Sequence, residues 1–306
     1  MRANGQSGAA AFGVAALVLG IVGAAMGARR TLRRSSPTLR AARRLHGSAG
    51  ALALCVLADS GVEHYRGSFH NRAMFVPLLS ATLSTIAGAQ GALDGRPRAR
   101  RGRSAIHAVA LVTGLIGTGF HLYNIHKRPG RFSWLNLFYS APIGAPAALS
   151  LSGLLGLSAE RLRVQSDQRE PRIWRFAAGP ALATLVNVGL VGTAGEAGLL
   201  HLRGAYHNPA MYLPVTLPPV AAMLLAGSTA TGRARALTKG WLRLTAAVGL
   251  LGAGLHAYGV SRGMGGWRNW TQNLLSGPPL PAPPSFTVLA LAGLVALSLQ
   301  PDKCHG

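Results

Sequence analysis

The sequence has few acidic residues and almost no cysteine. Eight Asp and Glu stand against 31 Lys and Arg, which gives a formal net charge of +23. The two cysteines, Cys55 and Cys304, are too few for a disulfide framework, and no C-x-x-C-H segment occurs that would attach a haem covalently. P-loop, dinucleotide-binding and nucleophile-elbow motifs are also missing. The chain therefore carries no signature of the common soluble nucleotide-dependent enzymes or hydrolases.

Apolar residues are plentiful and are gathered into blocks. Hydrophobic residues make up 49% of the chain, and the 40 glycines make a plain soluble core less favourable still. A helix of about 20 residues crosses the hydrocarbon core of a bilayer. We therefore predict an all-α, polytopic helical membrane protein with about nine transmembrane helices. The nine expected spans are Ala9–Gly27, Gly47–Glu63, Ala73–Leu93, Ala105–Ile125, Ala141–Ser158, Phe176–Leu200, Ala210–Ser228, Trp241–Val260 and Ser285–Leu299.

Positive charge is concentrated in every second loop. The rich loops are Arg29–Arg44, Arg96–Arg103, Arg161–Arg175 and Arg233–Arg243. Because cytoplasmic loops carry the excess of Lys and Arg, we expect the N-terminus outside and the C-terminus inside, in a bacterial inner membrane. This topology and attraction to anionic lipid account for the charge, so the expected partner is the lipid bilayer and not nucleic acid.

Two segments of the chain recur about 136 residues further on. RGSFHNRAMFVP at 66–77 returns as RGAYHNPAMYLP at 203–214, and GTGFHLY at 117–123 returns as GAGLHAY at 252–258. This spacing predicts a tandem parallel repeat of a four-helix unit, preceded by one N-terminal helix. The expected parts are a leader helix with a basic inner loop (1–45), a first repeat (46–160), a basic inner linker (161–175) and a second repeat with a short inner tail (176–306).

Each repeat places a histidine near the outer end of its first and third spans. These are His64 and His121 in the first repeat, and His201 and His256 in the second. The two spans run in the same direction, so their histidines reach similar depth. Two neutral imidazoles that face each other across a bundle can supply both axial ligands of a haem iron. The pattern favours a haem b at each pair and resembles b-type cytochrome membrane anchors in architecture, although no family motif is matched.

Glycines and arginines accompany each histidine pair. The glycines remove side-chain bulk, either for close contact between helices or to admit a flat cofactor. The arginines sit where outward-facing haem propionates could be paired. The candidate cofactor-binding residues are Gly117, Gly119, Gly252, Gly254, Arg66 and Arg203.

Asp59 and Glu196 occupy equivalent positions within the first span of each repeat. A carboxylate inside a span is costly and usually faces a partner or a water-filled cavity. The five-residue spacing to the following histidine does not favour joint ligation, because the two side chains leave the helix on different faces. A proton-transfer role, support of a ligand, or an internal hydrogen bond all remain open.

The outer loop after the first span of each repeat contains a His-Asn pair. His70 and Asn71 return as His207 and Asn208. They could be further ligands of a non-haem metal such as iron, zinc or copper, or they could cap the turn between two helices. The remaining histidines are interpreted as incidental, and they are His46, His107, His126 and His305.

Four functions are compatible with this pattern, and whether the protein is an enzyme stays open. The first is a b-type haem electron-transfer or membrane-anchor subunit of a respiratory or dehydrogenase system, supplied by an outer-side redox protein or a quinone. The second is a transporter or channel built from a parallel duplicated bundle, and the acidic residues inside the expected spans favour it. The third is a non-catalytic scaffold that docks a partner with its outer loops, and the fourth is a non-haem metal enzyme.

Overall fold

The computed structural model of the chain describes residues 36–168, 170–233 and 235–300. Its regular structure is ten α-helices, three short 3-10 helices and one small hairpin. The α-helices are α1 (Pro37–Arg66), α2 (Phe75–Leu93), α3 (Arg101–His126), α4 (Trp134–Tyr139), α5 (Gly144–Val164), α6 (Ala178–Arg203), α7 (Leu213–Thr231), α8 (Arg235–Ser261), α9 (Trp270–Ser276) and α10 (Pro284–Ser298). The hairpin pairs β1 (Arg172–Ile173) antiparallel with β2 (Phe176–Ala177).

Six helices are long and apolar enough to cross a membrane. They are Pro37–Arg66, Arg72–Leu93, Arg101–His126, Ala178–Arg203, Pro209–Thr231 and Arg235–Ser261. Helices α5 and α10 form at two further expected positions, but α10 has 15 residues and reaches only about 22 Å, short of a hydrocarbon core of about 30 Å. The first expected span, Ala9–Gly27, lies outside the described residues, as do Cys304 and His305. The membrane-protein prediction is supported by the six helices, while the count of nine stays a prediction.

Helix α1 begins well before the expected boundary of the first repeat at residue 46. Ser36 caps the helix by accepting a hydrogen bond from the Leu39 backbone N–H at 3.2 Å, and Pro37 occupies the first helical position. Arg40, Arg43 and Arg44 of the expected basic loop therefore belong to the first turns of α1, and the part of that loop before residue 36 lies outside the described residues. As a result His46 lies inside the helix and not at its start.

The core lies between α1, α5, α6 and α10. Leu45, Leu155, Leu182 and Leu289 come from these four helices, and each is at most 1% exposed. Helices α2 and α3 flank this centre on one side, and α7 and α8 flank it on the other. Their outward faces carry exposed large apolar side chains, as expected of surfaces in contact with lipid. We call residues 36–168 the first half and residues 170–300 the second half.

The same set of helix pairs is in contact within each half. In the first half α1 contacts α2 and α5, and α5 contacts α3; in the second half α6 contacts α7 and α10, and α10 contacts α8. The halves meet where α1 packs on α10 and where α5 packs on α6. The first helix of each half thus touches the last helix of the other, which matters for the contacts described below.

Candidate functional site

The four repeated histidines all make the same kind of hydrogen bond. His64 Nδ1 lies 2.8 Å from Met74 O, and His201 Nδ1 lies 2.8 Å from Met211 O. The histidines of the third spans bond to the loop that precedes the last long helix. His121 Nδ1 lies 2.5 Å from Pro142 O, and His256 Nδ1 lies 2.7 Å from Pro279 O.

These bonds define the protonation state of each ring nitrogen. A backbone carbonyl oxygen can only accept a hydrogen bond, so the proton of each neutral imidazole must be on Nδ1. The lone pair is then on Nε2, which is the atom free to bind a metal. Histidines that ligate metals are commonly oriented in this way, with the other ring N–H donated to a carbonyl or carboxylate.

The structure brings the two histidines of the second half close to one another. The ring centroids of His201 and His256 are 6.5 Å apart, with an angle of 68° between the ring planes. Two imidazoles that bind one metal through nitrogen at about 2.0 Å place their ring centroids about 6 Å apart. His64 and His121 are also near enough to interact electrostatically. The geometry of the second-half pair is therefore compatible with two ligands on one iron.

The His-Asn turn is built in the same way in both halves. Two consecutive non-glycine residues adopt the left-handed conformation, with φ of 54° and 45° at Ser68 and Phe69, and 52° and 46° at Ala205 and Tyr206. Each such residue costs on the order of 1 kcal/mol. The strained turn brings the chain back over the end of the helix, which places the Met74 and Met211 carbonyls beside the histidines.

Polar side chains of the same turn act as caps. Asn71 Oδ1 accepts a hydrogen bond from Ala73 N at 2.9 Å, and Asn208 Oδ1 accepts one from Ala210 N at 2.9 Å. The exposed His70 lies with Nδ1 3.0 Å from the Gly67 carbonyl, and His207 makes the equivalent contact with Gly204 at 2.9 Å. These contacts favour the capping interpretation of the His-Asn pair over a metal-ligand role.

Aromatic stacking fixes the turn against the next helix. Phe69 stacks on Phe75 with centroids 4.5 Å apart, and Tyr206 stacks on Tyr212 at 4.6 Å. The edge of each first ring also meets the histidine of the same half. The aromatic ring and the Met carbonyl of the repeated motif therefore both contact the first histidine of each half.

The four candidate glycines divide into two kinds. A Cβ on Gly117 would lie 3.1 Å from Pro146 Cβ, and one on Gly252 would lie 2.8 Å from Pro283 Cβ, so these two allow close helix packing. A Cβ on Gly119 or Gly254 would meet nothing within 4 Å. Gly119 also lines a shallow groove of about 390 Å³ on α3, together with Ile116, Phe120 and Tyr123.

The candidate arginines both reach across to the opposite half. Arg66 Nη2 donates to Gly277 O at 3.4 Å and pairs with Glu63 within its own helix. Arg203 Nη2 donates to Ser140 O at 3.4 Å, and its guanidinium lies 5.4 Å from the centre of the Phe138 ring. Both arginines are at the end of the bundle that carries the histidines.

The two repeated acids differ in their contacts. Glu196 Oε1 accepts a hydrogen bond from the Gly144 backbone N–H at 2.9 Å, at the start of α5 in the other half. Asp59 makes no such bond to any described residue, although it lies near enough to Glu63 and Glu196 to interact electrostatically. Glu196 therefore makes the internal hydrogen bond that was one of the expectations for these acids, and Asp59 makes none with the described residues.

A buried polar cluster at the opposite, basic end of the first half was missed by sequence reasoning. His46 and His107 are fully buried with ring centroids 5.6 Å apart, and His46 Nε2 lies 3.2 Å from Glu160 Oε1. Arg103 and Arg163 are buried beside them. His46 and His107, which the sequence leaves as incidental, are both built into the packing of α1, α3 and α5. The one available signal was the pair Glu160 and Arg163 in the last turns of an apolar helix.

Within the described ranges, no three His, Cys, Asp or Glu side chains converge as a metal-binding group. A haem iron needs only two axial ligands from the protein because the porphyrin supplies the other four nitrogens. Two imidazoles are a donor set that suits a haem iron.

Comparisons with known proteins add no relative. The chain matches no protein-family model, no curated protein and no solved structure.

Proposed function

We propose that the chain is a b-type haem electron-transfer or membrane-anchor subunit of a respiratory or dehydrogenase system. It would hold two haem groups near the outer face of a bacterial inner membrane, with the N-terminus outside and the C-terminus inside. His64 and His121 would bind one haem, and His201 and His256 the other. One observation carries the proposal: all four imidazoles donate Nδ1–H to a backbone carbonyl, and no described residue makes a hydrogen bond with their Nε2 atoms.

The protein's own contribution is to orient the ligands. A hydrogen bond from Nδ1–H to a carbonyl raises the basicity of Nε2 and fixes the plane of the ring. When bound, haem supplies a one-electron redox centre. With two histidines of each half holding it, the group would have no place for oxygen or substrate to bind. This supports electron transfer and not oxygen chemistry as the role of the site.

The surface at the histidine end suits an acidic redox partner. The segments that connect helices at this end are 67–74, 127–143, 204–212 and 262–283. Together they contain six Lys and Arg residues and no Asp or Glu. A positively charged surface steers and orients a negatively charged one. An outer-side redox protein with an acidic face, or a quinol from the membrane, is the electron donor that we propose.

The test is a haem count on the purified protein. Wild-type chain from haem-replete cells is expected to show a reduced-minus-oxidised spectrum of b type and two haems per chain by the pyridine haemochrome assay. The double variants H64A/H121A and H201A/H256A should each retain one haem, and the quadruple variant should retain none.

His126→Ala is the matched control, because the side chain of this exposed histidine makes, among the described residues, a single ring contact with Phe132. It should keep both haems. A haem-free wild-type preparation, or full haem content in the quadruple variant, would falsify the proposal.

A further inference from the structure

The first-half linker, which we define as Ser140–Gly144, holds the carbonyl that orients His121. It joins the short helix α4 to α5. Three alternate residues of this linker are each fixed by one side chain. The contacts are Ser140 O with Arg203 Nη2 at 3.4 Å, Pro142 O with His121 Nδ1 at 2.5 Å, and Gly144 N with Glu196 Oε1 at 2.9 Å.

Two of these three side chains belong to the second half. Glu196 and Arg203 are seven residues apart on α6, so they project from the same face of that helix. Their hydrogen bonds hold the linker on either side of Pro142. The Pro142 carbonyl that accepts the His121 hydrogen bond therefore lies between two contacts from the opposite half of the molecule.

Gly144 is shaped to receive the carboxylate. A Cβ at this position would overlap Glu196 Oε2, so a larger residue would displace the side chain. The Gly144 N–H lies at the start of α5, where backbone N–H groups have no acceptor within the helix. A carboxylate there accepts its hydrogen bond and interacts favourably with the helix dipole.

The second half lacks the third of these contacts. Its equivalent linker is Gly277–Pro281, in which Gly277 O accepts from Arg66 and Pro279 O accepts from His256. Residue 281 is proline and has no N–H to donate. Asp59, the counterpart of Glu196, therefore cannot hold this linker in the same way.

We infer that Glu196 and Arg203 are positioning residues for His121, so that the second half controls the ligand geometry of the first-half site. This inference rests on the proposed haem function. Glu196 fixes the linker through Gly144, the linker fixes the Pro142 carbonyl, and the carbonyl fixes the His121 ring. The linker of the first half is held by three contacts and that of the second half by two. Substitution of Glu196 therefore weakens haem binding at the first-half site, whereas substitution of Asp59 does not weaken it at the second-half site.

The first experiment measures haem affinity in a protein with a single site. In the H256A background, only the His64 and His121 site remains complete. Glu196→Ala is expected to weaken haem binding there by about tenfold or more, the usual effect of removing a residue that supports a ligand. Glu196→Gln keeps an oxygen acceptor for the Gly144 N–H and should restore affinity and spectrum.

Asp59→Ala is the matched control, tested in the H121A background where only the second-half site is complete. It should leave haem affinity there unchanged, because Pro281 offers no hydrogen bond that Asp59 could lose. Equal losses from Glu196→Ala and Asp59→Ala would overturn the inference.

The second experiment does not need haem. Wild-type and Glu196→Ala proteins are treated with diethyl pyrocarbonate, and modification of each histidine is followed by mass spectrometry. The ratio of His121 to His256 modification should rise in Glu196→Ala and return toward the wild-type value in Glu196→Gln. His256 serves as the internal standard, since Glu196 makes no contact with its linker.

Gly144→Ala is a second way to break the contact, and it should raise the same ratio if Glu196→Ala does not fold. An unchanged ratio in a folded variant overturns the inference whether or not haem is bound. A wild-type protein without haem overturns the proposed function instead, and the modification ratio still decides the positioning role.

Discussion

His46 Nε2 lies 3.2 Å from Glu160 Oε1, and the two side chains are 0% and 3% exposed. Arg103 Nε donates to the same carboxylate oxygen at 2.5 Å. Residues from α1, α3 and α5 therefore meet at one buried carboxylate. The charged Glu160 carboxylate is stable away from water only because His46 and Arg103 are in place, so each of the three residues depends on the others.

Replacing Glu160 by glutamine is expected to destabilise the protein strongly. The substitution removes the negative charge that His46 and Arg103 share, and leaves the Arg103 guanidinium, 4% exposed, with Asp94 as its acid partner among the described residues. Breaking a buried ion pair in this way typically costs about 3 kcal/mol or more. Thermal unfolding in detergent, followed by circular dichroism, measures the loss. Asp167→Asn, an exposed acid near the same end of the molecule, should change the midpoint little.

Acid should weaken the same region through Asp94. Partial burial alone would raise the pKa of Asp94. The hydrogen bond from Arg103, together with the other hydrogen bond and the positive charges around the carboxylate, instead lowers this pKa to about 2. Its pKa in the unfolded chain is about 3.9. The stabilisation is therefore fully present above about pH 4 and is lost as the pH falls through 2.

The comparison of wild type with Asp94→Asn isolates this contribution. The wild-type midpoint should approach that of the variant as the pH falls from 4 to 2, because protonated Asp94 no longer attracts Arg103. A constant difference between the two proteins over this window would contradict the assignment.

Glycine positions beside the buried imidazoles give a packing test. A Cβ on Gly156 would overlap the His107 ring, which is fully buried. Gly156→Ala is expected to cost about 1–3 kcal/mol of stability, as overpacking of a tight core does. Gly102→Ala is the matched control in α3, because its Cβ would meet nothing within 4 Å. That variant should be neutral or slightly stabilised by the better helix propensity of alanine. Similar losses in both variants would argue against tight packing at His107.

The histidine end of the molecule could be found from the sequence because its residues are repeated. His64, His121, His201 and His256 stand out against an otherwise diverged apolar chain. What the pattern could not give is their orientation, since the acceptors are backbone carbonyls of residues such as Met74 and Pro142. The contacts between halves were also invisible, because they depend on which helices are neighbours in space.

The buried cluster of the first half could not be found in the same way. The second half has Ala183 where the first has His46, and Leu297 where the first has Glu160. A search based on recurrence therefore passes over these residues. Their burial also depends on the early start of α1 at Pro37, which an argument from hydropathy placed too late.

The left-handed turn of the second half should tolerate glycine better than the alanine it contains. Ala205 has a φ of 52°, a conformation that costs a residue with a Cβ on the order of 1 kcal/mol. Ala205→Gly removes that cost, offset in part by the greater freedom of glycine in the unfolded chain, so a small gain in thermal midpoint is expected. Ala197→Gly, in the regular part of α6, should instead lose about 1 kcal/mol. If the two substitutions shift the midpoint equally, the turn is not strained. If Ala205→Gly raises the midpoint while the His201 ring keeps its hydrogen bond to Met211 O, the strain is a cost that the turn bears to bring the Met211 carbonyl to the ring.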